Sequence, residues 1–292
     1  MTFRARFAPS PTGPLHLGHA YSALLCSDMA RAEGGAFLLR IEDIDRSRAR
    51  PEWEAQIKDD LHWLELTWPS PVWRQSEHLE SYRAALNSLW QEGLLYPCSC
   101  NRRDIAAAAS APQEGASPKT GPDGILYPGT CRPGGRVAPR QGTAPEGTAL
   151  RLHMAAALSR IDPDGLVFEE TGAGPEGQTG TIRFTPEEVL RTIGDIVLCR
   201  RDMGTSYHLS VVLDDAAQGI THVIRGQDLF EATRIHVVLQ RLLGLPVPLY
   251  HHHRLIRDEN GKRLAKRDDA RALAKYRAEG LSPEDIRRKV GL

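Results

Sequence analysis

His16 and His19 stand three residues apart where a proline-rich loop, Pro9 to Pro14, gives way to a helical repeat. At that spacing on one helical turn both imidazoles can face the same point. A helix N-terminus also carries unpaired N–H groups and partial positive charge, which suit a phosphate. Gly18, between the two, lets a flat ring or a phosphate approach the backbone. Thr2 to Phe7 reads as a strand, and Tyr21, Leu24, Leu25, Met29 and Ala32 share a helical face before Gly34-Gly35. The expected unit is a strand, a loop and a helix built to hold an anion.

Other residue types could also carry chemistry. Glu42 follows the apolar run Ala36 to Ile41, where a parallel sheet gathers its ligands; a solvated acidic turn is the alternative. Arg225 ends the strand-like run from Thr221, a costly place for a cation unless an anion meets it. Tyr207 either lines a site or packs. Cys98, Cys100, Tyr127 and Cys131 could present three thiolates and a phenolate to one metal, or they could be buried cysteines without one. Tyr250-His-His-His253 is set aside as a metal site, because successive strand residues alternate faces. The segment Glu259 to Asp268 is a turn and a basic loop, which by itself is a solvated Lys/Arg cluster.

The elements that must position these groups follow from periodicity and breakers. Strand–helix–strand from Thr2 to Ile41 implies a parallel pair with a right-handed crossover. Pro51 opens a helix with Trp53, Ile57, Leu61 and Leu64 inward; Ser81 is expected to cap the next, ending at Gly93. Ala109 to Gly124 reads as a flexible loop, and Arg132 to Gly180 is dense in glycine and proline, suggesting an inserted subdomain of small strands. A helix covers Leu229 to Leu243, and two short ones are expected at Ala270 to Ala278 and Pro283 to Val290.

The chain has 292 residues, long enough for one large domain with an insertion. Lys+Arg and Asp+Glu balance at 37 each, so any nucleic-acid surface must be local. No apolar run is long enough to cross a membrane and the N-terminus lacks a signal-peptide core. Five cysteines do not suggest a disulfide scaffold. A cytoplasmic protein is expected.

Pro-Ser-Pro-Thr-Gly-x-Leu-His-x-Gly-His after Arg6-Phe7-Ala8 resembles the first signature of class I aminoacyl-tRNA synthetases of the glutamyl type. Arg40 to Arg48, Tyr207 to Asp215, Thr221 to Phe230 and Lys262 to Arg267 resemble further stretches of that family, in family order. Ala265 stands where the second signature usually has serine. Cys-x-Cys followed by Tyr-x-x-x-Cys is similar to the zinc site of a truncated branch, the glutamyl-queuosine tRNA(Asp) synthetases. The stretch beyond Arg267 is also too short for the anticodon-reading region of the full-length enzymes.

The resemblance implies an α/β fold: a Rossmann-type parallel sheet in two halves, 1–97 and 191–257. A small zinc-bearing subdomain at 98–190 and a signature loop with helical tail at 258–292 complete it. It implies activation of L-glutamate by ATP without tRNA, then transfer to queuosine in the anticodon loop of tRNA(Asp). His16, His19 and Lys266 would be catalytic, with Gly18 beside them at ATP. Arg6, Ser10, Glu42, Tyr207 and Arg225 would hold glutamate, the two arginines suiting a diacid. Cys98, Cys100, Tyr127 and Cys131 would hold one structural Zn²⁺, Mg²⁺ would accompany ATP, and the protein would be a monomer. The alternatives are a minimal synthetase charging a tRNA 3′ end and an inactive tRNA-binding module.

Overall fold

The computed structural model describes residues 2–110, 119–134, 137–257 and 271–292. In chain order, β1 (Arg4–Phe7), α1 (Leu17–Ala32) and β2 (Ala36–Ile41) form the first crossover. They are followed by α2 (Pro51–Trp63), β3 (Trp73–Arg74), α3 (Leu79–Gln91), β4 (Leu95–Cys98) and α4 (Arg102–Ser110). Then come β5 (Thr120–Gly121), β6 (Gly124–Ile125), β7 (Ala149–Leu152), α5 (Met154–Leu158), β8 (Val167–Glu170), β9 (Gly180–Arg183) and α6 (Pro186–Thr192). The chain closes with β10 (Val197–Cys199), α7 (Tyr207–Ala217), β11 (His222–Gly226), α8 (Ala232–Leu242), β12 (Leu249–His253), α9 (Leu273–Ala278) and α10 (Pro283–Val290).

Among the described residues the main sheet has the order β3-β2-β1-β11-β12-β8-β9, and all its pairs are parallel except β8 with β9. The crossover through α1 steps outward from β1 to β2, whereas the one through α8 steps the opposite way from β11 to β12. The two central strands, β1 and β11, are therefore the topological switch point, where the loops at their C-terminal ends diverge and leave a crevice. Alternation assigns the faces. Ala5, Phe7 and Ile224 join the apolar cluster around α1, whereas Val223 joins the cluster around α7 and α8. Arg6 and Arg225 thus share a face with Val223.

Strands β4, β7 and β10 make a separate antiparallel sheet. This departs from the expected insertion at 98–190 at both ends. The small sheet recruits 95–98 and 197–199, and residues 167–183 extend the main sheet instead. Short alternating strands read alike whichever sheet they join, because the pairing partner is not encoded locally.

The expected loop at 109–124 is also modified: α4 runs to Ser110 and 120–125 form a hairpin, while 111–118 lie outside the described residues. Ser81 does not cap; the helix begins at Leu79, and the Ser81 hydroxyl donates to the His78 carbonyl at 2.7 Å. The C-terminal helices form close to the expected positions. α10 lies against α1, with Ile286 and Val290 in its core and Arg287 paired to Asp28 at 2.6 and 3.0 Å.

Candidate functional site

His16 is the N-cap of α1. Its Nδ1 accepts the Gly18 N–H at 3.1 Å, and the His19 Nδ1 accepts the His16 N–H at 3.2 Å, closing a reciprocal capping box. The helix mouth is therefore not a set of open N–H groups, as the sequence suggested, since imidazoles occupy two of them. The consequence is useful, because a neutral ring accepting through Nδ1 carries its proton on Nε2. The two rings are stacked with their centres 3.8 Å apart, and in that tautomer the Nε2 atoms are donors. A Cβ added at Gly18 would sit 3.0 Å from the His16 ring.

Both histidines line a cavity of about 370 Å³ together with Arg6, Gly18, Glu42, Tyr207 and Arg225, at the C-terminal ends of β1, β2 and β11. A second cavity of about 270 Å³ adjoins it, sharing Glu42 and Tyr207 and adding Ser10, Thr12, Asp45, Arg48 and Arg200. Sequence-chosen residues thus divide between two adjoining spaces: Ser10 lies in the second, and Glu42 and Tyr207 line both.

Electrostatics in this crevice also rest on Arg40, Asp214 and Asp215, to which the sequence assigned no role. Arg6 forms a two-bond pair with Asp215, Nε to Oδ1 at 2.8 Å and Nη2 to Oδ2 at 3.1 Å. Arg40, fully buried, donates to Asp215 at 2.6 Å and to Glu42 at 3.2 Å. Asp214 accepts from Trp73, Gln75 and Tyr82. Burial pushes the Asp215 carboxyl up, but Arg6 and Arg40 outweigh it and hold it below the ordinary range. For Glu42 burial wins over the same two arginines and its carboxyl titrates higher than usual. Burial likewise raises the Tyr207 phenol. Asp214-Asp215 was visible in sequence only as the end of the family-like stretch from Tyr207, which folds as α7. Its role depends on α7 packing beneath β1 and β2, far away in the chain.

Arg225 is held differently. It donates to His252 Nε2 at 3.1 Å, His236 Nδ1 at 3.0 Å, Thr233 Oγ1 at 2.7 Å and the Leu229 carbonyl at 3.3 Å. Alternation turns His252, which contacts Glu170, away from His251 and His253, which contact Thr171 and Ser22 respectively.

Cys98, Cys100 and Cys131 converge, with their sulfurs all within 4.8 Å of one another. The Tyr127 hydroxyl lies 3.5 Å from the Cys98 sulfur and 3.7 Å from that of Cys100, and accepts the Cys131 N–H at 2.6 Å. Tetrahedral zinc thiolates place sulfurs about 3.8 Å apart, so this donor set fits one such ion. Arg151 supplies compensating charge. Its Nε donates to the Cys98 sulfur at 3.3 Å, and its guanidinium lies 3.8 Å from the Tyr127 ring centre. Hydrogen bonding, chiefly from Tyr127, brings the Cys131 thiol down to about 6. Cys26 and Cys199 are buried elsewhere.

Lys266 and its signature loop lie outside the described residues. Their flanks do not: Leu255 and Ile256 line the larger cavity, and Ala272 forms a β-bridge with His16.

Residues 2–122 and 173–292 match the family model for the catalytic domain of class I tRNA synthetases (E and Q). A glutamyl-Q tRNA(Asp) synthetase of Rhodobacter capsulatus is 67% identical over 287 residues, covering 98% of this chain and 99% of that protein. One from Symbiobacterium thermophilum is 44% identical, covering 96% and 83%. Among solved structures, a glutamate tRNA ligase of Elizabethkingia meningosepticum in complex with its amino acid is 27% identical, with TM-score 0.73. The alignment covers all of this chain and 61% of that one, so the chain spans about three fifths of the full-length ligase. A methionyl-tRNA synthetase of Mycobacterium tuberculosis, 12% identical at TM-score 0.60, shares the fold. On these similarities to the family model and to the near-full-length relatives, the chain belongs to the class I tRNA synthetase (E and Q) family, on its glutamyl-Q tRNA(Asp) synthetase branch.

Proposed function

We propose that this ligase activates L-glutamate with ATP, without needing tRNA, and passes the glutamyl group to queuosine in the anticodon loop of tRNA(Asp). The observation that carries the reading is one cavity lined jointly by the two imidazoles of the helix mouth, two arginines and Glu42. Glutamate has three charged groups. Glu42 suits its ammonium, and the arginines suit its carboxylates. Tyr207, at the junction, and Ser10, in the adjoining cavity, complete the set. His16 and His19, which line the same cavity as Gly18, suit the phosphates of ATP.

In the first step a glutamate carboxylate oxygen attacks the α-phosphorus, forming the acyl–phosphate bond as the bond to pyrophosphate breaks. Charge accumulates on phosphate oxygens, so the protein contributes positioning and preorganised donors. Mg²⁺ accompanying ATP would supply further charge neutralisation. Lys266 is assigned to the leaving pyrophosphate from its signature alone. In the second step a hydroxyl of the acceptor attacks the acyl carbon and AMP leaves; the adjoining cavity with Arg48 and Arg200 suits a ribonucleic substrate entering beside the acyl group. Cys98, Cys100, Tyr127 and Cys131 would hold a structural Zn²⁺ that fixes the small sheet.

The test is glutamate-dependent ATP–pyrophosphate exchange in the absence of RNA, followed by transfer of labelled glutamate to tRNA(Asp) with and without queuosine. Exchange, with label confined to the queuosine nucleoside, is expected. Label at the 3′ end would make the chain a minimal charging enzyme, and absence of exchange an inactive module.

A further inference from the structure

A continuous buried chain of hydrogen bonds runs behind the larger cavity. Glu170 contacts His252 Nδ1, His252 Nε2 meets Arg225 Nε at 3.1 Å, Arg225 Nη1 meets His236 Nδ1 at 3.0 Å, and His236 Nε2 meets His208 Nδ1 at 3.2 Å. All five of these residues are buried. A guanidinium can only donate. Both imidazoles must therefore offer it a lone pair, and their protons must lie on the far nitrogens. His252 then donates to Glu170, and His236 donates to His208. Every tautomer in the chain follows from Arg225 at its centre.

The two cavity arginines are consequently not equivalent. Arg6 is already paired through two bonds with a carboxylate, Asp215, which it shares with Arg40. Among the described residues Arg225 has only uncharged acceptors: two imidazoles, a hydroxyl and a carbonyl. Its charge is left for a ligand, and its donors are held at fixed angles. A carboxylate satisfies such a group, whereas a carboxamide brings a partly positive NH₂ and no compensating charge.

We propose that His236 and His252 are positioning residues that make Arg225 select a carboxylate over a carboxamide, by fixing the guanidinium without neutralising it. This rests on the reading that the cavity holds glutamate. Burial, reinforced by Arg225, lowers the proton affinity of both rings, bringing His252 down to about 4, so both stay neutral at physiological pH.

The experiment is RNA-independent exchange by the whole chain with glutamate and with glutamine, comparing wild type with H236Q, H236L and H236E. Glutamine at 236 can accept from Arg225 and donate to His208, so H236Q should stay within about threefold of wild type. H236L removes one acceptor and should raise the glutamate KM about tenfold with kcat changed less. H236E places a carboxylate on Arg225; the glutamate KM should rise about a hundredfold and the preference over glutamine should narrow. If H236E does not fold, H236L against H236Q decides. The proposal is overturned if wild type exchanges but H236L and H236Q behave alike, or if kcat and KM fall together in every variant. Wild-type exchange with no glutamate requirement would instead sink the underlying reading.

Discussion

Arg6 and Asp215 meet through two parallel hydrogen bonds beneath the larger cavity, and Asp215 also takes a bond from Arg40 at 2.6 Å. Asp215 thus bridges two buried cations contributed by strands at opposite ends of the first crossover, with Glu42 as a further partner of Arg40. The isosteric change Asp215→Asn keeps the shape and removes the charge. Breaking such a buried cluster should cost about 3–5 kcal/mol. Urea unfolding of the variant should show a lower midpoint with an unchanged slope.

Gly18→Ala tests the helix mouth. The new methyl would press the His16 ring, the cap of α1, from 3.0 Å. Displacing a preorganised donor should lower kcat for exchange about tenfold to a hundredfold, with the glutamate KM nearly constant. Equal effects on both constants would place His16 outside the phosphate contacts.

Lys266→Ala addresses the signature loop. Since Ala272 bridges His16 and Ile256 lines the cavity, the two flanks of that loop converge on the same crevice. The exchange rate should fall far more than glutamate affinity, as measured by comparing kinetics with equilibrium binding. A proportional loss of both would argue against a role at the leaving pyrophosphate.

Metal removal should act on stability before chemistry. Cys131→Ser, or a strong chelator, should abolish about one equivalent of bound zinc and loosen β4, β7 and β10, which Cys98 and Arg151 tie to the cluster. Hydrogen exchange across the small sheet, alongside elemental analysis, would register both effects. Unaltered protection in zinc-free protein would remove the structural role.

Acid should destabilise the fold from slightly acidic pH. His252 titrates at about 4 in the folded chain because burial disfavours its charge, and burial puts His236 lower than usual as well. The unfolded chain takes up these protons first, near pH 6.5, so stability present above that pH is lost as pH falls toward about 4. Glu170 adds to the trend: its bond to His252 outweighs burial and holds its carboxyl low, so its contribution also disappears in acid. Thermal melts between pH 7.5 and 5 should show a falling midpoint, with a shallower slope in H252Q.

Much of this was legible in the linear chain, because the information was local. The loop from Pro9 to His19 dictates a break and a helix start through proline geometry and capping, and those constraints act within a few residues. Cys98-Ser99-Cys100 and Tyr127 to Cys131 likewise show a ligand-like spacing, and alternation alone set His252 apart from its two histidine neighbours on β12. What the tertiary structure decided was charge and partnership. Arg6 and Arg225 look alike in sequence; only the packing of α7 under β1 gives one a carboxylate, and only α8 and β12 give the other two imidazoles. Which sheet β8 and β9 join was equally open, since strand pairing is a long-range choice that neighbouring residues do not specify.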